Sequence, residues 1–168
     1  MPTNTRSDLA FRLATDQDWP DIHRIFDSVT ATSDTYPYPP SLTETEARSI
    51  WMNPSHTTYV AAFGDDVVGT AYIKANMLGL GDHVANAGWM VDPSRHGEGI
   101  GRPFAEYIID QARKQEYRAM QFNAVVATNG SAIKLWESLG FEIVGTVPDA
   151  FRHSTNGLTA IHIMYRKL

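Results

Sequence analysis

Three glycines, Gly97, Gly99 and Gly101, alternate in the run VDPSRHGEGIGR over residues 91–102, between an apolar segment and an amphipathic one. A strand, a turn without side chains and a helix that follow one another directly point to an α/β chain in which the helix packs back over a sheet. Such a turn also lets backbone N–H groups converge at the positive end of a helix, which suits a phosphate or pyrophosphate. The flanking Asp92, Arg95, Glu98 and Arg102 sum to zero charge. Backbone amides must therefore carry most of any anion binding.

The rest of the chain supplies the other elements. Ala10 to Leu13 alternates as a strand, and Trp19, Ile22, Ile25, Phe26 and Val29 recur at helical spacing. Thr35 to Pro40 (TYPYPP) holds three of the nine prolines and reads as a stiff loop. Thr43 and Glu46 form a capping box that opens a helix to about Met52. Thr57–Phe63 and Val67–Ala75 read as a hairpin around Gly64-Asp65-Asp66, followed by a Gly-rich loop from Asn76 to Ala85. Asn86–Val91 is the next strand, Ile100 to about Lys114 a helix, and Ala119–Val126 another strand. Asn129 or Ser131 caps a helix that Gly140 ends, and Phe141–Val147 and Ala160–Arg166 close the chain around a loop from Pro148 to Leu158. With no helices among the early strands, the order predicts a mixed-sheet α/β domain and not a doubly wound one.

At 168 residues, 43% hydrophobic and 20% charged, the chain reads as one domain, residues 1–168, with no repeat, linker or low-complexity tract. The net charge of -5 disfavours nucleic acid and anionic membranes as partners. The absence of cysteine excludes disulfides, thiolate zinc sites and a cysteine nucleophile, and no metal ligand set stands out. MPTNTRSDLAFRLAT lacks the apolar core of a signal peptide and no run is long enough to span a bilayer, so a cytoplasmic location is expected.

Spacing separates three phosphate motifs that compete for the glycine turn. A Walker loop needs Gly-Lys-Ser/Thr, and a Rossmann fingerprint needs glycine where Arg102 stands. The pattern Arg/Gln-x-x-Gly-x-Gly fits, with His96 in first place and then Gly99 and Gly101. A second signature lies about 30 residues on, NGSAIKLWESLGF over residues 129–141. Together these segments resemble the GNAT superfamily of acetyl-CoA-dependent N-acetyltransferases, whose second motif reads N-x-x-A-x-x-L-Y-x-x-x-G-F.

The resemblance implies a mixed, mostly antiparallel seven-stranded sheet, about four flanking helices and splayed fourth and fifth strands. It implies acetyl-CoA as co-substrate, held by Met90 and Val91 on the fourth strand, by His96, Gly97, Glu98, Gly99, Ile100, Gly101 and Arg102 on the turn, and by Asn129. It also makes a homodimer the expected assembly. The chain departs from the family pattern at two places. Trp136 stands where many relatives place a tyrosine that protonates the leaving thiolate, and an indole N–H is no acid in this range. Asn86 stands near the position of a glutamate base, and Asn123 faces it from the next strand.

The runs DHVANAGWMVDP and FNAV are similar to the branch that includes the yeast azetidine-2-carboxylate acetyltransferase, which implies that Asn86 and Asn123 orient an amino acid or a close analogue. Each assignment has a plainer counterpart in which Asn86 and Asn123 are satisfied strand polars, Asn129 only a cap, His96 a surface residue and Trp136 a core aromatic. His83 is the candidate base or a solvated loop residue. Tyr36 and Tyr38 either cover the acceptor or stiffen a surface connection. The functional expectation is an N-acetyltransferase acting on a small amine by direct transfer. The rivals are a protein or peptide N-acetyltransferase, a non-catalytic acyl-CoA-binding module and a nucleotide-binding protein.

Overall fold

The computed structural model describes residues 8–168, so the leader-free reading of the first seven residues lies outside it. Seven strands and four helices occur in the expected order: β1 (Leu9–Leu13), α1 (Trp19–Thr30), α2 (Glu44–Trp51), β2 (Thr57–Phe63), β3 (Asp66–Ala75), β4 (Val84–Val91), α3 (Gly101–Lys114), β5 (Ala119–Val126), α4 (Gly130–Ser138), β6 (Glu142–His153) and β7 (Gly157–Lys167). They form one sheet in the order β1-β2-β3-β4-β5-β7-β6, antiparallel except at β4 and β5.

Strand alternation sorts the core onto two faces. On β2, Val60 and Ala62 pack with Ile22, Ile25, Phe26 and Trp51 of α1 and α2, while Tyr59, Ala61 and Phe63 pack with Phe104, Ile108 and Ile109 of α3. The middle of the sheet is thus covered on both sides, which explains why β2 and β3 read as apolar runs. The first face is pinned by buried polar contacts between α2 and the sheet. The Trp51 indole N–H donates to the Thr70 hydroxyl at 2.8 Å, and that hydroxyl donates to the Tyr59 carbonyl at 3.2 Å. Thr70→Val is expected to strand the indole N–H and cost about 1–3 kcal/mol, measured as a lower urea midpoint with an unchanged slope.

The capping box forms as read, with the Glu46 N–H donating to the Thr43 hydroxyl at 3.3 Å and the Thr43 N–H to the Glu46 carboxylate at 2.8 Å. Asn129, not Ser131, caps α4 by accepting the Ala132 N–H at 3.3 Å, and Gly140 ends it at φ 85°. Two expectations are corrected. β4 begins at Val84, two residues before Asn86. The closing loop from Pro148 to Leu158 shrinks to the turn between β6 and β7, because β6 runs on to His153. β6 lies at the edge of the sheet, and Pro148 falls where its register with β7 shifts between Val147 and Phe151. A proline without an N–H costs no ladder bond there.

Candidate active site

β4 and β5 pair only through Val84 with Ala119 and Ala85 with Met120, then diverge. The gap opens into a cleft of about 740 Å³ that passes through the sheet. On the α3 and α4 side it is lined by Gly97, Gly99, Gly101, Ala132, Leu135 and Trp136; on the α1 and α2 side by Thr32, Asp34, Tyr36, Tyr38 and Tyr72. Two groups can meet in it from opposite faces.

The divergence begins at Asn86, which is buried and donates through Nδ2 to the Gln121 carbonyl at 3.0 Å. A side-chain amide thus takes over where the backbone pairing of the two strands stops. The chain of amides continues. Gln121 Nε2 donates to Asn123 Oδ1 at 2.9 Å, and Asn123 Nδ2 donates to Asn76 Oδ1 at 2.7 Å. Both asparagines line the cleft, at its apex and on its β5 wall, with their rotations fixed.

Ladder parity decides which backbone groups of β4 face the gap. The Asp92 N–H donates to the Val68 carbonyl and the Val84 carbonyl accepts from the Asn76 N–H, so even-numbered residues of β4 turn toward β3. Val91 therefore presents its N–H and carbonyl to the cleft, as expected. Met90 also lines the cleft, but its backbone faces Thr70 and its side chain packs in the α1 and α2 core. At Trp89 the position is taken: the Tyr36 hydroxyl donates to the Trp89 carbonyl at 2.6 Å and accepts from its N–H at 2.8 Å. Burial pushes the phenols of Tyr36, Tyr38 and Tyr72 up, so all three stay neutral. Tyr36 and Tyr38 stack with centroids 5.6 Å apart.

The glycine turn is anchored from behind. Asp92 accepts the Ser94 N–H at 2.9 Å and pairs with Arg24 of α1. Burial acts to raise the Asp92 carboxyl, but the bonds from Arg24 and Ser94 prevail and hold it below the usual range. Gly97 and Gly99 adopt φ of 85° and 73°, the left-handed region that favours glycine. The N–H groups of Gly97, Gly99 and Ile100 have no partner among the described residues. A Cβ on Gly101 would lie 3.3 Å from the Trp89 ring, so this glycine lets the start of α3 close on β4. The Trp89 indole N–H is buried in this wall without a partner among the described residues. Free amides, a cradle shaped by glycine and an unsatisfied donor fit an elongated ligand with phosphate and amide groups.

Not every residue expected at the turn reaches the cleft. Glu98 lies off it, its N–H bonded to the Arg95 carbonyl and its carboxylate 3.4 Å from Arg95. Arg102 points along the helices, bonding Ser138 at 2.8 Å and Glu106 at 3.0 Å. His96 and Asn129 line the cleft. His83 lies elsewhere, in a separate depression with Glu116 and Tyr117 near the start of β5, and its carbonyl accepts the Arg118 N–H at 2.8 Å. Strand direction explains this correction, since β4 carries the chain from His83 away toward the cleft. Trp136 lines the cleft and packs on Phe122 at 4.4 Å, so it is a core aromatic as well. Sequence reading missed Asp34, a loop carboxylate with no pattern around it, and the contact of Tyr36 with Trp89, which spans 53 positions.

Known proteins share this architecture. A GCN5-related N-acetyltransferase from Kribbella flavida superposes with a TM-score of 0.93 at 45% identity, covering 98% of this chain and 100% of that one. The yncA structure from Salmonella typhimurium, solved with its cofactor acetyl-CoA, shares the fold at a TM-score of 0.81 and 20% identity, over 95% of this chain and 94% of that one. The N-acetyltransferase aca1 of Schizosaccharomyces pombe is 40% identical over 86 residues, 51% of this chain and 41% of that protein, so the match spans less than half of its length. The sequence profile of the acetyltransferase (GNAT) family matches residues 19–141, well over half of the chain, and the protein belongs to that family, whose acetyl donor is acetyl-CoA.

Proposed function

We propose that residues 1–168 act as one N-acetyltransferase domain that moves the acetyl group of acetyl-CoA to a small amine, an amino acid or an analogue of one. The observation that carries this reading is the cleft through the sheet, with a glycine turn on one side and two asparagines where β4 and β5 part. Acetyl-CoA supplies the activated thioester. The amides of Gly97, Gly99 and Ile100 hold its phosphates, His96 and Asn129 flank it, and the free N–H of Val91 is placed to polarise a carbonyl in the gap.

Asn86 and Asn123 fix the acceptor. Neither accepts a proton, so their contribution is orientation, which by itself supplies much of an acyl-transfer rate. Trp136 offers no acid for the thiolate, which takes its proton from the newly formed ammonium or from water, and the absence of cysteine excludes an acetyl-cysteine intermediate and leaves direct transfer as the simplest route. The α1–α2 connection, tied to the β6–β7 turn by the Ser154 N–H on the Ser33 carbonyl at 3.1 Å, roofs the acceptor side. That roof favours a small acceptor over a protein tail, which needs an open groove. The assembly proposed is a homodimer, and the apolar side chains left exposed include Met77, Leu78 and Leu80 and, on β6, Ile143 and Val144. Among the described residues no helix is long and apolar enough to cross a membrane.

The test is thioester release from acetyl-CoA against a panel of free amino acids and proline analogues. Asn123→Ala is expected to lower kcat about tenfold to a hundredfold while the Kd for acetyl-CoA stays within about twofold. Unchanged turnover removes the role given to Asn123. Binding of acetyl-CoA without turnover on any amine favours a binding module.

A further inference from the structure

The lining of the cleft is poor in charge. Among the described residues it holds one carboxylate, Asp34, one guanidinium, Arg95, and one imidazole, His96. Arg95 is already committed, pairing with Asp66 and lying 3.4 Å from Glu98. His96 sits on the glycine turn, on the far side of the sheet from the α1–α2 connection. The acceptor side therefore has one formal charge, and it is negative.

Asp34 is held in place from three directions. Its Oδ1 accepts from the Thr32 hydroxyl, while Oδ2 has no partner among the described residues. The preceding residue, Ser33, takes a left-handed φ of 51°, costly for a side chain that is not glycine, and is kept there by the Ser154 N–H on its carbonyl. Two residues later, Tyr36 is locked to both backbone groups of Trp89. A strained residue and a buried phenol thus bracket a half-buried carboxylate that lines a cleft walled by tyrosines and has one oxygen without a partner among the described residues. Neutral phenol rings add a further attraction for a cation.

We propose that Asp34 binds the ammonium group of the acceptor, and that the site takes a small amine with one positive charge and no more than one acidic group. The proposal rests on the acetyltransferase reading of the cleft and names the chemistry of its acceptor. An ammonium on Asp34 makes a charge-assisted hydrogen bond and gives up one proton to water before its nitrogen attacks, while Asn86 and Asn123 remain to meet a single carboxylate through their amides. A second acidic group finds no uncommitted cation on this side and repels Asp34.

The test separates binding from turnover. The wild-type protein, Asp34→Asn and Asp34→Glu, each saturated with CoA, are titrated calorimetrically with L-azetidine-2-carboxylate, pyrrolidine, L-glutamate and N-acetyl-L-proline. Wild type is expected to bind the first two, and L-glutamate at least about tenfold more weakly. Asp34→Asn is expected to weaken azetidine-2-carboxylate and pyrrolidine about tenfold to a hundredfold, with Asp34→Glu recovering part of the loss and CoA affinity unchanged. Equal binding of pyrrolidine by wild type and Asp34→Asn overturns the proposal, as does equal weakening of N-acetyl-L-proline, which carries no ammonium. A wild type that binds neither cation overturns it as well. Thiol release from acetyl-CoA is followed in parallel. Wild type that binds pyrrolidine in an Asp34-dependent way yet releases no thiol refutes the acetyltransferase reading and leaves the Asp34 site standing. Release that is indifferent to Asp34→Asn does the reverse.

Discussion

Replacing Gly88 with alanine is expected to cost about 3 kcal/mol, the upper end of the usual range for overpacking a core. Gly88 lies opposite Tyr72 across the β3–β4 ladder, and a Cβ there would stand 2.3 Å from Tyr72 Cε1, 2.8 Å from Cζ and 3.0 Å from the Trp51 ring. The Tyr72 ring is hemmed in on two sides and open only toward the cleft. Trp51 packs edge-on at 4.9 Å between centroids, and His56 stacks at 4.4 Å. The alanine must push the ring toward the cleft that Tyr72 lines, so a higher KM for the amine accompanies the loss of stability. For a chain of this size the melting temperature is expected to fall by about 6–12 °C. Gly130→Ala is the control, since a Cβ there meets nothing within 4 Å, and its melting temperature is expected to stay at or slightly above the wild-type value. A Gly88→Ala protein as stable as wild type refutes the packing account of Tyr72.

The second large effect is on the acyl donor. Gly97→Ala and Gly99→Ala are each expected to raise the Kd for acetyl-CoA at least about tenfold, whereas Arg95→Ala changes it less than about threefold. Space is not the cause at Gly97, because a Cβ there meets nothing within 4 Å. The cost is the left-handed φ, about 1–2 kcal/mol for an L side chain, which the turn relieves by rotating its amides away from a common point. Arg95 matters less because Asp66 and Glu98 already neutralise it. Calorimetric titration with acetyl-CoA ranks the three variants. Were Arg95→Ala the weakest binder, side-chain charge and not the amide cradle would hold the phosphates.

What was legible in the sequence was local. The Thr43–Glu46 capping box, the Gly140 stop and the glycine turn each depend on residues within a few positions of one another and are found as read, and of the two caps offered for α4 Asn129 is the one used. The amphipathic faces of α1 and α3 were legible for the same reason. The order of strands and helices followed from them. Misreadings arose where sheet geometry intervenes. Polar residues and Pro148 imitate a loop, yet an edge strand with register shifts accommodates them. Met90 and Val91 look equivalent along the chain, but ladder parity sends their backbone groups to opposite strands. His83 stands three residues before Asn86 and still lies outside the cleft, because β4 moves away from it. Asp34 and Tyr36 acquire their places only through Ser154 and Trp89, contacts that no local pattern announces.

The Tyr36 hydroxyl also bears on solubility. Where β4 and β5 part, the sheet has an edge in its interior, with backbone groups of Ala87, Trp89 and Val91 turned toward no neighbouring strand. Such an edge is a template for another extended chain, the usual starting point for unwanted strand addition. Tyr36 satisfies both groups of Trp89 at the middle of that stretch, standing in for one residue of a missing strand. An intruding segment would have to break two hydrogen bonds and displace a buried ring before it could pair. One side chain thus keeps the gap open to a slender ligand and closed to a β-strand.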